Sequence, residues 1–252
     1  MAGYVDIHCH LLPGVDDGCS DLDESLELAR CMVDAGIGDA ICTPHISPYY
    51  PHNEPTFIGR KMKRLQAALE DAGVPLRVHA GGENRINGDK RARDRVLLCD
   101  GDSRGGTLGS RFFLFDDWGH HRPNTLASMA NRLTADGVTP ILAHPERTPW
   151  MWDDPAGTAD WLAELGIRLQ LNAYILAGAS KGVVNVVPRM VATADALLDA
   201  DRYDLLATDA HGPATWPARS KGLQLARQRL GEATFTRLFR DHPSQILPLA
   251  DS

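Results

Sequence analysis

Short apolar runs of period two alternate along the chain with longer segments of period near 3.6. The runs fall at 4–10, 39–44, 75–81, 111–116, 138–143, 167–172 and 203–208, and predict seven strands. Between them DESLELARCMVDAG (23–36), FIGRKMKRLQAALEDAG (57–73), NTLASMANRLTADG (124–137), AGTADWLAELG (156–166) and VVPRMVATADALLDA (186–200) predict amphipathic helices, several closing on Gly. Past the seventh strand, SKGLQLARQRLG and EATFTRLFRDH predict two further helical stretches that cap the domain. Regular alternation of strand and helix, with no Pro/Ser-rich linker, predicts a mainly parallel sheet and one barrel-like α/β domain over residues 1–252. The polar, Gly-rich stretch 84–107 is longer than an ordinary connection and predicts an excursion or flexible loop.

Chemistry gathers where the strands end. His8-Cys9-His10 closes the first strand, and residues two apart share a face, so both imidazoles can reach one ion. A lone H-x-H is weak, but PGVDDG follows it and sets Asp16 and Asp17 in a turn at the same strand end. The later strands end in CTPH, GGE, FFLFDD, LAHPER and ATDAH. In a parallel barrel all these ends face one side, so His45, Glu83, Asp116, His144, Asp209 and His211 are expected to converge on His8 and His10. The alternative for each single histidine is a strand cap or a satisfied core hydrogen bond. Imidazoles and carboxylates without thiolate suit Zn, Mn or Fe, and so many donors imply two or three divalent ions.

Arg147, three residues after His144, is placed to fork onto a phosphate oxygen or to pair with Glu146 or another carboxylate; Arg219 is a second, more distant candidate. Tyr49, Tyr50 and Trp118 are candidates for an aromatic wall or for plain packing. His120 and His121 read as surface loop. His52, His79 and His242 lie outside the recurring position, and Cys9 and Cys42 read as core.

Composition narrows the classes. Hydrophobic residues are 43% and charged residues 23%, with no stretch long enough to span a bilayer. No basic segment leads into a long apolar one at Met1, so a cytoplasmic location is expected. Five cysteines without C-x-x-C spacing predict reduced thiols instead of a disulfide framework. None has an Arg six positions on, which excludes the thiolate phosphate loop C-x5-R. A net charge of -7 argues against nucleic acid as the main partner.

In order, DIHCHLLPGVDDG, CTPH, GGE, LAHPER and TDAH resemble the polymerase-and-histidinol-phosphatase (PHP) superfamily, and within it the CpsB-like manganese-dependent protein-tyrosine phosphatases of bacterial capsule and exopolysaccharide loci. The resemblance runs from residue 4 to about 247, where FRDHPSQIL is similar to that family's closing segment. It implies a distorted (β/α)7 TIM-like barrel, three metal ions, Mn2+ foremost with Fe, Zn or Mg as substitutes, and a phosphotyrosine protein such as a bacterial tyrosine autokinase as partner. It assigns His8, His10, Glu83 and Asp209 to a first ion; Glu83, Asp116 and His144 to a second; and Asp17, His45 and His211 to a third. Two departures stand out. Asp116 occupies a position where the family has Glu, and Trp216 one where it has a second phosphate-binding Arg, with Arg219 one helical turn later.

The expected reaction is hydrolysis of a phosphate monoester by a hydroxide bridging two ions, while Arg147 and the third ion hold the phosphate. A tyrosine leaving group, with a phenol pKa of about 10, departs without a strong general acid, although His45 or Asp209 could supply the proton. The rival readings are a PHP-type phosphatase of a sugar phosphate, histidinol phosphate or nucleotide; a metal-dependent amide or lactone hydrolase, which lacks support because no Lys stands at a strand end; and a non-catalytic regulator that binds phosphotyrosine or a kinase. Buried carboxylates and histidines without use would be costly, which weighs against the last.

Overall fold

A computed structural model describes residues 3–86, 98–99, 111–178 and 186–247, so most of the expected excursion at 84–107 lies outside the described residues. Nine strands are seen among them: β1 (Tyr4–Cys9), β2 (Ile37–Cys42), β3 (His45–Ile46), β4 (Arg77–Ala80), β5 (Glu83–Arg85), β6 (Phe112–Asp116), β7 (Thr139–Ala143), β8 (Arg168–Asn172) and β9 (Leu205–Ala207). Two predicted strands, 39–44 and 75–81, continue past a break into further short strands. Pro44 has no N–H to give a ladder, and it separates β2 from β3. Gly81-Gly82 separates β4 from β5, and a Cβ at Gly81 would lie 2.8 Å from Ile41 Cγ2.

All pairings are parallel, in the orders β1-β2-β4 and β3-β5-β6-β7-β8-β9. Because β3 continues β2 and β5 continues β4, the two sheets are successive parts of seven staves. The far edge returns to the first strand: Asp209 N donates to His8 O at 2.8 Å and His10 N to Ala210 O at 2.8 Å. The predicted α/β barrel architecture is therefore present, with the staves in chain order.

The helices α1 (Leu22–Asp34), α2 (Pro55–Asp71), α3 (Leu126–Ala135), α4 (Pro155–Glu164) and α5 (Pro188–Asp199) follow the predicted segments within a few residues. α6 (Trp216–Thr236) and the turns to Ser244 merge the two expected C-terminal stretches, with a break at Gly231, whose φ is 73°. This segment closes the barrel floor: Phe235 and Phe239 lie 5.3 Å from the Tyr4 ring, and Ile246 enters the inner apolar cluster.

That inner cluster holds Val5, Ile7, Ile41, Leu114, Ile141, Leu205 and Ala207, while Cys9, Ala40, Cys42, Phe113, Phe115, Leu169 and Leu206 belong to the outer layer under the helices. Strand alternation would place Cys9 with Val5 and Ile7, yet the β1 register shifts between Asp6 and Cys9. The shift directs both Ile7 and His8 inward, so the histidines stand on an apolar floor. Cys9 and Cys42 are buried in the outer layer, as expected, and all five cysteines are free. No helix among the described residues is long and apolar enough to cross a membrane.

Candidate metal centre

His8 and His10 project from the end of β1 into the barrel mouth, each held by its Nδ1. Gln170 on β8 donates its amide to Leu171 O, so its Oε1 accepts from His8 Nδ1 at 2.8 Å. His10 Nδ1 is held by Asp16 Oδ2 at 2.6 Å. Such outer partners fix the tautomer and aim the free nitrogen. The two Nε2 atoms are 3.4 Å apart, each is 3.4 Å from Asp209 Oδ1, and they lie 3.5 and 3.6 Å from Glu83 Oε2. Donors about 2.1 Å from one ion in a tetrahedral array are separated by roughly 3.4 Å. These measured edges therefore have the size that a four-coordinate divalent ion requires.

Two residues of the site hold left-handed backbone that non-glycine residues seldom adopt: Asp209 at φ 51° and His144 at φ 35°. Asp209 is over-determined. Its N–H donates to His8 O, its Oδ2 accepts from Asn172 Nδ2 at 2.8 Å and Arg147 Nη1 at 3.3 Å, and its carbonyl accepts from Arg219 at 3.1 and 3.3 Å. Oδ1 is thereby left to face the imidazoles.

Two further groups adjoin the first. His144 Nε2 lies 2.9 Å from Glu83 Oε1, and His8, Glu83 and His144 have donors close enough to share an ion. His45 Nδ1 is 2.7 Å from Glu83 Oε2 and its Nε2 3.3 Å from Asp17 Oδ1; His211 Nε2 lies 3.8 Å from the same oxygen, and His10, Asp17, His45 and His211 form the third group. Glu83 thus stands at the centre, and His144 Nδ1 is buried without a hydrogen-bond partner. Buried donors left in that state suit metal ligation better than a purely hydrogen-bonded core.

The structure brings eight of the nine expected ligands into these groups and leaves Asp116 outside. Asp116 Oδ2 takes Arg85 Nη2 at 2.9 Å, while Oδ1 is buried without a hydrogen-bond partner. The shorter side chain is drawn to a guanidinium on the neighbouring strand. Asp117 faces the other way, accepting from Trp150 Nε1 at 2.7 Å. Arg147 does not pair with Glu146, which turns inward to accept from Asn172 N at 2.9 Å and Tyr203 Oη at 3.0 Å. Arg147 lies instead at the mouth, 5.2 Å from the Trp118 ring centre. Arg219 departs from expectation: it is 2% exposed, spans the Asp209 carbonyl and lies against Tyr174. Its site is beneath Asp209, where it positions that residue and does not open to the mouth.

Residues outside the predicted set also matter. Arg85 lies 4.1 Å from the Trp118 ring, so two guanidiniums flank one half-exposed indole. Its signal was available, since it stands two residues after Glu83 on the same strand face. Gln170 and Asn172 carried no such signal. Tyr50 stacks on His45 at 5.9 Å and Tyr49 is 80% exposed, while His120 and His121 are exposed loop residues. His79 is held by Asp39 at 2.9 Å, and His242 donates to Asp204 O, both away from the mouth.

Electrostatics give the cluster its character. Burial opposes charge on every one of these groups. Even so, the facing imidazoles hold Glu83 and Asp209 well below the usual carboxylate range. Burial also works against protonating His45 and His10, yet Glu83 and Asp17 raise the first to about 11 and Asp16 raises the second to about 10. His144 and His211, lowered to about 4 chiefly by burial, keep free lone pairs. A cluster that draws protons so strongly favours any cation, and divalent ions compete with protons for the same atoms.

Residues 4–248 match the family described as capsular polysaccharide synthesis, CpsB/CapC. The tyrosine-protein phosphatase YwqE of Bacillus subtilis strain 168 is 31% identical over 213 residues, covering 84% of this chain and 78% of that protein. The tyrosine-protein phosphatase CpsB of Streptococcus pneumoniae is 21% identical over 246 residues, covering 96% and 98%. A solved structure from a study of YwqE and CpsB as metal-dependent tyrosine phosphatases superposes with a TM-score of 0.80 at 26% identity, over 98% of this chain and 100% of that one. An Escherichia coli phosphotriesterase homology protein, at a TM-score of 0.57 and 14% identity over 97% and 98%, shares the fold. The strand-end histidines and carboxylates that suggested the resemblance are the ones gathered at the mouth, and the match spans almost every described element: the chain belongs to the CpsB/CapC family.

Proposed function

We propose that this protein is a metal-dependent phosphatase of protein phosphotyrosine. The observation that carries the reading is the cage of His8, His10, Glu83 and Asp209 at 3.4 to 3.6 Å, with Arg147 held against Asp209 at its rim. His8, His10, Glu83 and Asp209 would hold one divalent ion, His144 and Glu83 a second with the free Oδ1 of Asp116, and Asp17, His45 and His211 a third. Mn2+ is the ion we favour, from the family resemblance; oxygen and imidazole donors without thiolate suit it, as they suit Zn and Fe. Bound divalent ions would neutralise phosphoryl charge and lower the pKa of coordinated water.

The chain's own residues do the rest. Arg147 is tethered at one nitrogen by Asp209, which leaves the other edge of its fork for a phosphoryl oxygen. Arg85, tied to Asp116 on one side and to Trp118 on the other, supplies a second cation at the mouth in place of the guanidinium absent at Trp216. Trp118 and Tyr50 offer flat faces to a phenyl ring. His45, between Glu83 Oε2 and Asp17 Oδ1, would serve as a ligand of the third ion, and a phenol of pKa about 10 leaves without a strong general acid. Exposed Tyr49 and Trp118 around the mouth favour a polypeptide substrate over a small sugar phosphate, which calls for an enclosing pocket. A bacterial tyrosine autokinase is the partner we infer, and the free cysteines are in keeping with a cytoplasmic setting.

The test is hydrolysis of a phosphotyrosine peptide, sugar phosphates and histidinol phosphate by the Mn-loaded protein, with His8→Ala and Arg147→Ala beside it. Peptide turnover abolished by His8→Ala and reduced by Arg147→Ala is the expected result. Preference for a small phosphate would replace the substrate, and no turnover of any phosphoester would refute the reading.

A further inference from the structure

Helix α2 carries a basic stripe that the phosphatase chemistry does not use. Phe57, Arg60, Lys61 and Arg64 recur at helical spacing and line a surface hollow of about 180 Å3. Lys63 adds a fourth cation within five residues, in a chain whose net charge is -7. Arg60, Lys63 and Arg64 are exposed, and none has an ion-pair partner among the described residues. Surface cations in an acidic protein ordinarily find carboxylates nearby. Four of one sign without an ion-pair partner among the described residues make a local positive field.

The stripe is joined to the metal centre. Lys61 Nζ donates to Pro13 O at 3.1 Å and lies 5.6 Å from the Phe57 ring. Pro13 opens the turn that holds Asp16 and Asp17, and four residues of chain span at most roughly 14 Å. Asn53, just ahead of α2, donates to His45 O at 2.9 Å and Val15 O at 3.4 Å, which fixes the helix start against the mouth.

We propose that this stripe docks acidic residues of the polypeptide substrate, about three to five positions from its phosphotyrosine, an inference that rests on the phosphatase reading above. Phe57 gives the extended peptide an apolar floor while the guanidiniums take carboxylates at the edge. Charge complementarity of this exposed kind steers association and selects sequence more than it adds affinity.

The experiment compares, on the Mn-loaded full chain, p-nitrophenyl phosphate with two phosphotyrosine peptides of equal length, one with Glu or Asp flanking and one with Gln or Asn in their place. The acidic peptide should show the lower KM. In Arg60→Glu/Arg64→Glu that advantage should be lost, with KM rising about tenfold, while p-nitrophenyl phosphate and the neutral peptide are unaffected. Arg60→Gln/Arg64→Gln should fall between, and unchanged thermal melting excludes misfolding as the cause. The preference should also fade in about 1 M salt, where charges are screened beyond ~3 Å. Equal KM values for the two peptides, or a charge-reversed variant that keeps the preference, would overturn the proposal. So would binding of the stripe to phosphatidylglycerol vesicles with no preference between peptides, which would make it a lipid surface. Fluorescence-anisotropy binding of the same peptides reads the stripe independently of turnover, so failure of the phosphatase reading would show as lost p-nitrophenyl phosphate hydrolysis with the binding preference intact.

Discussion

Asp209 has one oxygen committed to Asn172 and Arg147 and the other to the imidazole cage, so under the proposed function a single carboxylate would couple phosphate recognition to metal binding. Arg147→Ala should lower kcat/KM by roughly a hundredfold, because the lost guanidinium bears on charge that develops in the transition state. Its effect on metal content, read by elemental analysis, should be small beside that of Glu83→Gln, which replaces one of the two central oxygens with an amide NH2, removes the charge and should deplete bound metal. Glu146, next to Arg147, is governed by burial, which raises its carboxyl to about 7. In the unfolded chain that proton leaves near 4.5, whereas the folded protein keeps it to about 7. Folding stability should therefore decline as the pH rises across that window and level off above it. Glu146→Gln, which keeps the shape and cannot ionise, should flatten the decline in denaturant titrations at pH 5, 6 and 7.

At the scale of elements, the site depends on how closely α6 approaches the turn after β8. A Cβ on Gly222 would fall 2.2 Å from Ala173 O and 2.8 Å from Tyr174 Cα, with backbone on both sides of the clash. Gly222→Ala should destabilise the protein by about 2 kcal/mol or more, visible as a lowered Tm, although Ala is the better helix former. The same approach sets Arg219 under Asp209. Displacing α6 should therefore weaken metal affinity together with stability.

Across the whole molecule, seven staves bring acidic and imidazole donors from distant parts of the sequence to one mouth above an apolar floor. Without cations, that concentration of like donors is relieved only by protons. Chelation of the metal-loaded protein should lower its Tm by about 5–10 °C, the change expected for losing ligands present at a hundred times Kd from a chain of this size. The protection should weaken progressively as the pH falls below about 10, where protons compete for His10 and His45, and differential scanning calorimetry with and without EDTA would measure it.

The alternation of strands and helices, the parallel barrel and the strand-end position of nearly every candidate ligand were legible along the chain. Those features follow from periodicities of 2 and 3.6 and from residues a few positions apart, which are local properties of the chain. Helix α2 and the His8-x-His10 pair could be read in this way. Tertiary structure alone decided the rest. The β1 register shift turns Ile7 and His8 to the same side, and left-handed backbone at Asp209 is held by His8 O on β1. Asp116 goes to Arg85 instead of the ligand groups, and Arg219 goes beneath the site against Tyr174 instead of into it, because each meets a neighbour remote in sequence. Which partner a side chain meets is fixed by packing, and the pattern along a chain carries no record of that.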